Sequence, residues 1–348
     1  MANPYVFIVG CPRSGTTLLR RMVNAHPQIA IISESHWIPR LFEERKELTP
    51  EGLVTPKLIP RLLEDPRFTR LRLAREKLQA LLGTSQPVSY PEFVTRLFGL
   101  YGQRKGKAIV GNKTPWFVRR LLLLHALWPT ARFVHLIRDG RDVCLSMADW
   151  SGAHQNHPRV FPTWQNDSVL TAALWWELHV RLGRQAGNSL GPELYYELRY
   201  ESLVRNPAEE CAGLCAFLGL PYDDAMLRFH EGRTKADPAL DAKRAWRPLT
   251  PGLRDWRSQM PGEDVERFEA AAGELLDELG YPRVVPRPRP ESLERASRIR
   301  NLLAQDSKWI QAVPRPQAEN SEPPSRIPDP WPEGSPRRSL GGGDGLEA

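Results

Sequence analysis

The 348 residues are 41% hydrophobic, which is enough apolar material for one large core or two modest ones. The net charge of +7 comes from 48 basic residues dispersed among 41 acidic ones, and no zinc-finger, RNP or recognition-helix motif accompanies them, so a nucleic-acid partner is not indicated. No run of 18 apolar residues is present and the four cysteines lack the spacing of a disulfide framework or a zinc site, so we expect a cytoplasmic protein with no membrane span.

The amino-terminal residues predict a strand, a phosphate-binding turn and a helix. Apolar residues from 5 to 10 are followed by Cys11-Pro12-Arg13-Ser14-Gly15-Thr16-Thr17 and then by leucines, methionine and valine at helical spacing. A turn in this position aims backbone N–H groups and the positive end of a helix at an anion. We therefore expect a phosphate site here.

This loop differs from that of magnesium-dependent nucleotide triphosphatases. Gly10 and Gly15 have the Walker spacing, but Thr16 stands where the lysine of G-x-x-x-x-G-K-[ST] belongs. Arg13 supplies a cation instead. The loop is suited to a phosphate but not to a triphosphate with its metal, and we expect no metal requirement.

Short apolar runs alternate with helical patterns along the chain, which predicts a parallel sheet with helices on both faces. The predicted strands cover residues 5–10, 29–32, 108–111, 132–137 and 194–198. The fold class is thus α/β, with three α/β/α layers like those of P-loop proteins. The stretch from about 40 to 107 has helical spacing broken by prolines and is expected to form a helical insertion over the carboxyl edge of the sheet, where such sheets bind ligands.

Several ordered segments resemble those of the sulfotransferases that use 3′-phosphoadenosine 5′-phosphosulfate (PAPS). They are the P-R-S-G-T-T loop, P-Q-I-A-I-I-S-E-S-H-W-I-P-R from 27 to 40, G-N-K-T-P from 111 to 115, R-F-V-H-L-I-R-D-G-R-D from 132 to 142, Y-E-S-L from 200 to 203, and F-L-G-L-P from 217 to 221. The similarity spans roughly residues 5 to 282. The segments resemble in particular those of bacterial sulfotransferases related to the tyrosylprotein sulfotransferases.

The resemblance implies how the 5′-phosphosulfate would be held. Its expected ligands are the consecutive loop residues Arg13, Ser14, Gly15, Thr16 and Thr17. Lys113 would contact the bridging oxygen and stabilise the charge that develops on the leaving group. Lys113 and Arg13 therefore count, with a general base, as the expected catalytic residues.

Two residues are candidates for that base, which takes the proton of the acceptor. Glu34 follows the second predicted strand and is similar in position to the glutamate that does this in the tyrosylprotein branch. His36 is the alternative, because the cytosolic small-molecule branch uses a histidine, although in another segment. The tyrosylprotein branch has an arginine at the position of His36, which weakens the case for an acidic peptide acceptor.

The 3′-phosphate is expected to lie between Arg138, at the end of the fourth predicted strand, and Ser146, on the following helix. An arginine and a hydroxyl can share one phosphate, which distinguishes PAPS from a plain adenylate. Arg141 and Asp142 are expected to tie this loop internally.

Two further positions bear on the nucleotide. Tyr200 matches a tyrosine that relatives place near adenine, and a core tyrosine beside the fifth strand is the alternative interpretation. Arg254 lies where relatives use a basic loop to close over the cofactor, and either Arg254 or Arg257 is expected to cap the phosphates.

The predicted function is sulfuryl transfer from PAPS to a hydroxyl or amine, with no metal. Small-molecule, carbohydrate, lipid and peptide acceptors all remain open, and the sequence does not indicate an oligomeric state. One alternative is a P-loop kinase, which Thr16 and the pair Arg138 and Ser146 disfavour. The other is a non-catalytic protein that binds PAPS.

The carboxyl-terminal part differs in composition from the rest. Twelve of the 33 prolines follow Tyr281, and the end of the chain is rich in glycine. We therefore expect a sulfotransferase domain over 1–282 and a proline-rich tail over 283–348. One helix within residues 292–313 has an apolar face that would let it dock, and disorder is expected beyond it.

Overall fold

The structure, a computed structural model, describes residues 5–82, 87–149, 161–231, 249 and 254–305. These residues all belong to one compact unit. Among them, no helix combines the length and the apolar character needed to cross a membrane.

A five-stranded parallel sheet lies at the centre of the described residues. Its strands are β1 (Val6–Val9), β2 (Ile29–Ser33), β3 (Ile109–Lys113), β4 (Arg132–Ile137) and β5 (Tyr195–Arg199). Their order is β2-β3-β1-β4-β5. The central strand β1 pairs with β3 on one side and β4 on the other, and the chain leaves β1 towards the β2 side before returning to β4, so the end of β1 is where such sheets bind ligands.

The alternation of side chains along β1 explains the layers. Phe7 and Val9 belong to one hydrophobic cluster, whereas Val6 and Ile8 belong to another on the opposite face. Successive side chains of a strand point to opposite faces, so a strand that is apolar throughout must be covered on both. The predicted three-layer α/β/α fold is confirmed.

Helices surround this sheet. They are α1 (Thr16–Ala25), α2 (Trp37–Glu44), α3 (Leu58–Leu63), α4 (Pro66–Thr69), α5 (Arg75–Ala80), α6 (Tyr90–Lys105), α7 (Leu121–Leu127), α8 (Gly140–Ala148), α9 (Ser168–Leu190), α10 (Tyr200–Arg205), α11 (Pro207–Leu218), α12 (Trp256–Gln259), α13 (Gly262–Glu278) and α14 (Pro290–Gln305), with 3-10 turns at Pro115–Arg119 and Asp224–Met226. The predicted helical insertion corresponds to α2 through α6.

The last helix, α14, packs on the rest of the described fold. Its buried residues Ala296, Ile299 and Leu303 share a hydrophobic cluster with α8, α9 and α13. Arg300 of α14 also donates to Glu177 at 2.7 Å. The helix begins and ends earlier than the predicted segment, and the predicted disorder beyond it falls outside the described residues. The predicted boundary after residue 282 stays a prediction.

Candidate active site

The phosphate loop follows β1 and enters α1 through Gly15. Gly10 has φ 150°, and any Cβ there would collide with the carbonyl oxygen of Leu136 on the neighbouring strand. Gly15 is the N-cap of α1 with φ 95°, a left-handed conformation that glycine tolerates best. The two glycines are therefore required by the backbone, and the turn brings the positive end of α1 to the edge of the sheet.

Arg13 also has a left-handed backbone, with φ 81°. A non-glycine residue in this region costs about 1–3 kcal/mol and persists only when its surroundings impose it. The Arg13 side chain turns towards α8, where its Nε donates to Ser146 Oγ at 3.3 Å. The loop cation predicted from the sequence thus contacts one of the predicted 3′-phosphate residues.

The hydroxyl residues of the loop lie in or at the edge of the core. Ser14 and Thr16 are buried, and the Ser14 Oγ has no hydrogen-bond partner among the described residues. Thr17 Oγ1 accepts from Lys113 Nζ at 3.5 Å. A buried hydroxyl with unused hydrogen-bonding capacity at an anion loop fits a site that a ligand completes.

Glu34 and Lys113 are brought together by neighbouring strands. The N–H of Glu34 donates to the carbonyl oxygen of Lys113 at 2.8 Å, which continues the pairing of β2 with β3 by one residue. The Lys113 ammonium and the Glu34 carboxylate form an ion pair. The predicted strand ends at residue 111, which places Lys113 after it, but Lys113 is the last residue of β3, because parallel pairing with Ser33 extends the strand past Gly111.

Glu34 is held by two partners and a strained backbone. Its φ is 56°, and its second carboxylate oxygen lies 3.2 Å from His36 Nε2. Burial acts to raise the pKa of Glu34, but the hydrogen bond to His36 and the charge and hydrogen bond of Lys113 outweigh burial and lower the pKa to about 2. Glu34 is therefore ionised at neutral pH, and His36, the alternative base, lies in direct contact with it.

Lys113 is almost completely enclosed, with 3% of its side chain exposed. Burial lowers its pKa, and the Glu34 carboxylate opposes that effect. An enclosed ammonium needs an anionic partner, and here the partner is the one-third exposed Glu34. An incoming anion at the loop would compete for this lysine.

Arg138 follows β4 and is fixed by neighbours on several sides. Its Nη2 donates to Asp142 Oδ2 at 3.1 Å, and its guanidinium lies 4.3 Å from the ring centre of Tyr200. The Nε of Arg138 is buried and has no hydrogen-bond partner among the described residues. Burial raises the pKa of Asp142, while the charge of Arg138 lowers it. The arginine is thus held in place with one donor to spare.

Tyr200 connects this arginine to the phosphate loop. It is the first residue of α10, and a Cβ on Gly15 would lie 2.5 Å from its ring. Burial raises the pKa of its hydroxyl. The ring therefore packs between the loop and Arg138, and its predicted role near adenine stays a prediction.

Arg254 reaches the same region from the carboxyl-terminal part of the chain. It forms an ion pair with Asp149, the residue that follows α8. Burial, and then the positive charges of Arg254 and Arg138, lower the pKa of Arg13 to about 10. Like charges that repel one another around a phosphate loop are stabilised when an anion binds among them.

The expectation that Arg141 and Asp142 tie the loop internally is incomplete. Arg141 does pair with Asp139, but its fully buried guanidinium also pairs with Glu269 of α13 at 2.7 Å and lies 3.6 Å from the ring centre of Trp256. Asp142 accepts the backbone N–H of Trp256 at 2.9 Å. The loop is therefore fastened to carboxyl-terminal elements.

No sequence pattern pointed to Asp149 or to the long-range contact made by Asp142. Asp149 anchors Arg254, and Asp142 joins Arg138 to Trp256. Trp256 lies between Arg254 and Arg257, the two basic residues that the sequence did single out, and an aromatic residue there was a usable sign of docking. The sequence predicts for Asp142 only contacts within its own loop, and neither aspartate carries a local pattern that reveals its distant partner.

The donor set at the loop suits an anionic nucleotide. Arg13, Lys113, Arg138 and Arg254 supply cations, and Ser14 and Arg138 present buried polar atoms that lack hydrogen-bond partners within the described part of the chain. In that same part, no group of three or more His, Cys, Asp or Glu side chains is arranged to hold a metal ion. The arrangement can bind phosphates beside an ionised carboxylate.

A comparison with known proteins identifies the family. The model of the sulfotransferase family matches residues 4–224. Protein-tyrosine sulfotransferase A of Caenorhabditis elegans is 25% identical over 285 residues, which cover 80% of this chain and 67% of the relative. Protein-tyrosine sulfotransferase 1 of Danio rerio is 27% identical over 312 residues, covering 85% and 79% respectively.

A solved structure supports the fold. The sulfotransferase domain from the Synechococcus PCC 7002 olefin synthase aligns with a TM-score of 0.54 at 23% identity, covering 81% of this chain and 97% of that domain. The resemblance seen in the sequence motifs is confirmed by the family match, which extends over more than half of the chain. The chain therefore belongs to the sulfotransferase family, and it is an enzyme of sulfuryl transfer.

Proposed function

We propose that the sulfuryl donor is PAPS and that the acceptor is a hydroxyl or amine. One observation supports this most strongly: four cations surround the loop after β1, and the most enclosed of them, Lys113, is paired with the ionised Glu34. Transfer of a sulfuryl group needs cations at the leaving phosphate and a base at the acceptor. PAPS would supply the activated sulfuryl group, and the chain supplies both requirements within one site.

The proposed roles of the loop residues follow from their positions. Arg13 and the amino-terminal end of α1, with Ser14, Thr16 and Thr17, would bind the 5′-phosphosulfate. Lys113 would stabilise the developing charge, because an enclosed ammonium acts in a low dielectric where it is most effective.

Recognition of the rest of the nucleotide is assigned to the residues beyond the loop. Arg138 and Ser146 would bind the 3′-phosphate, and Arg138 offers an unused donor for it. Tyr200 would lie against the nucleotide, and Arg254 would approach the phosphates from the carboxyl-terminal side.

Glu34 is the proposed general base. Its carboxylate is ionised, as a base must be, and one third of its side chain is exposed, so an acceptor can reach it. His36 would hold the carboxylate in place by donating to it. The same contact keeps His36 close enough to act as the base in place of Glu34.

Fewer observations bear on the identity of the acceptor than on that of the donor. The two relatives named above are protein-tyrosine sulfotransferases, so a tyrosine hydroxyl is one acceptor to test. Small-molecule, carbohydrate and lipid hydroxyls stand beside it, because the insertion α2 to α6 that flanks Glu34 is where acceptor pockets would vary.

Incubation of the full chain with PAPS labelled in its sulfuryl group, together with acceptor extracts and tyrosine peptides, tests this function. Labelled products identified by mass would establish both donor and acceptor. Transfer of phosphate from ATP with an absolute magnesium requirement would instead make the chain a kinase, and tight nucleotide binding with no transfer to any acceptor would make it a binding protein.

A further inference from the structure

Three contacts fix the orientation of Arg138. The guanidinium of Arg138 lies 4.3 Å from the ring centre of Tyr200, and the backbone carbonyl of Arg138 accepts the Trp176 indole N–H at 3.0 Å. Asp142 accepts from its Nη2 at 3.1 Å. These contacts fix the backbone of Arg138 and the face and one edge of its guanidinium. The Nε–H bond therefore points in one direction. This Nε is buried and has no hydrogen-bond partner within the described ranges.

Asp142 is itself fixed through both carboxylate oxygens. Oδ2 accepts from Arg138, and Oδ1 accepts the backbone N–H of Trp256 at 2.9 Å. The Trp256 indole N–H donates to Asp139 Oδ2 at 3.0 Å, so the tryptophan is attached to this loop at two points. The whole Asp142 residue is 8% exposed. Its carboxylate therefore cannot turn away from Arg138 without releasing the start of α12.

The residue that follows α8 provides a second attachment for the segment around Trp256. Asp149, seven residues after Asp142, pairs with Arg254, which lies two residues before Trp256. The two aspartates thus hold residues 254 to 256 along α8. One carboxylate of this pair, Asp142, is also the partner of Arg138.

From this geometry we propose that Asp142 is the positioning residue for recognition of the 3′-phosphate: it orients Arg138, while Arg254 keeps a separate anchor in Asp149. The inference rests on the proposed function, in which Arg138 binds the 3′-phosphate. An arginine side chain has many rotamers, and a guanidinium fixed in advance loses less freedom when a phosphate binds. Asp142 acts through Arg138 and does not touch the nucleotide.

The opposite effect is also physically reasonable, which makes the inference testable. A carboxylate close to a phosphate site repels the ligand and occupies a donor of the arginine, so its removal would strengthen binding if charge alone mattered. Positioning and charge therefore predict changes of opposite sign in affinity for the 3′-phosphate.

The test compares adenosine 3′,5′-bisphosphate with AMP, which differ only in the 3′-phosphate. Calorimetric titration of the full chain gives both affinities and their ratio. In Asp142→Asn the amide nitrogen faces either Arg138 Nη2 or the Trp256 N–H, both of which are donors, so one bond is lost. We expect the ratio to fall by about tenfold, with AMP affinity within about twofold of wild type, as for loss of a residue that orients a ligand-binding side chain.

Asp142→Glu distinguishes the effect of position from the effect of charge, and it replaces the asparagine variant in the test if that variant does not fold. It keeps the carboxylate but moves it by one methylene, so positioning predicts a lower ratio and charge alone predicts no change. Asp255→Asn is the matched control. Asp255 caps α12 next to Trp256, is more exposed, and its capping bond to Arg257 is one that asparagine also makes. Its ratio should equal that of the wild type.

The outcomes separate this inference from the function on which it rests. A lower ratio in both Asp142 variants, with unchanged AMP affinity, supports the inference. An unchanged or higher ratio in the variants, with normal discrimination by the wild type, overturns it and leaves the proposed function standing. Equal binding of the two nucleotides by the wild type would overturn the assignment of Arg138, and the inference with it.

Discussion

The ammonium of Lys113 and the carboxylate of Glu34 form an ion pair across the ends of β3 and β2. The proposed mechanism assigns these groups to opposite ends of one transfer, the lysine to the leaving group and the glutamate to the acceptor. Their contact means that each sets the charge environment of the other. A donor anion that attracts Lys113 would weaken its hold on Glu34, and the glutamate would then become a stronger base.

Glu34→Gln is expected to lower kcat on the order of 10²–10⁴, the usual range for loss of a general base. The shape of the side chain is kept, so affinity for adenosine 3′,5′-bisphosphate should stay within a few-fold of wild type. Steady-state rates and calorimetry measure the two effects separately.

His36→Ala is the companion to that variant. It removes one hydrogen bond to Glu34 but leaves the carboxylate paired with Lys113, so we expect a modest loss of kcat. If His36→Ala abolishes turnover while Glu34→Gln stays near wild type, the base is the histidine.

The pH dependence of kcat/KM provides a second, independent prediction about the base. Since the pKa of Glu34 is depressed to about 2, its carboxylate stays ionised as pH falls and becomes protonated only near that pH. We therefore expect kcat/KM, which reports the free enzyme and free donor, to be flat from about pH 5 to about pH 8 once ionisation of the donor's 3′-phosphate at about pH 6 is allowed for. A histidine base would instead add a loss of activity in weakly acidic solution, as its imidazole becomes protonated. On the alkaline side, burial lowers the pKa of Lys113, so activity should decline at a lower pH than for an ordinary lysine.

The fold was predictable because each strand carries its own apolar pattern. The predicted strand over 132–137 coincides with β4, and the other strands differ by one or two residues. The largest difference is at β3, where Gly111-Asn112-Lys113 has the composition of a turn. Pairing with β2 and β1 keeps these residues extended, and that tertiary effect is invisible in local propensity.

The site was predictable only where a residue belongs to a contiguous motif. Arg13, Glu34, Lys113 and Arg138 each follow or end a strand and therefore meet at one edge of the sheet. The bond from Trp256 to Asp142 joins residues 114 positions apart, and its existence depends on how α12 packs on α8. Such contacts are properties of packing, and the sequence pattern of neither partner contains them.

Arg138→Ala tests the assignment of the 3′-phosphate directly. Loss of one charge-assisted contact should cost about 1.5–3 kcal/mol, or roughly 10- to 150-fold in affinity for adenosine 3′,5′-bisphosphate. AMP, which has no 3′-phosphate, should bind the variant and the wild type alike, as measured by calorimetry. An equal loss for both nucleotides would show that Arg138 supports the fold of the site and not this phosphate.

Removal of divalent metal is expected to leave turnover intact. Thr16 stands in place of the lysine of the Walker motif that magnesium-dependent nucleotide triphosphatases use. Four cations of the chain also surround the phosphate loop. Rates of sulfuryl transfer with and without EDTA, at constant ionic strength, measure this. Loss of activity on chelation that magnesium restores would contradict the prediction.

Gly15→Ala is expected to damage the phosphate loop through two separable effects. The left-handed φ of 95° costs a non-glycine residue about 1–2 kcal/mol of stability, and the new methyl group would also lie 2.5 Å from the Tyr200 ring. Gly106→Ala is the matched control, because Gly106 has φ 64° and open space around it. Both variants should lose stability in thermal unfolding, but only Gly15→Ala should lower kcat/KM, by about 10²-fold, because a small displacement of bound substrate has an effect of that size. Equal activity of the two variants would mean that the Tyr200 ring moves aside freely and does not shape the site.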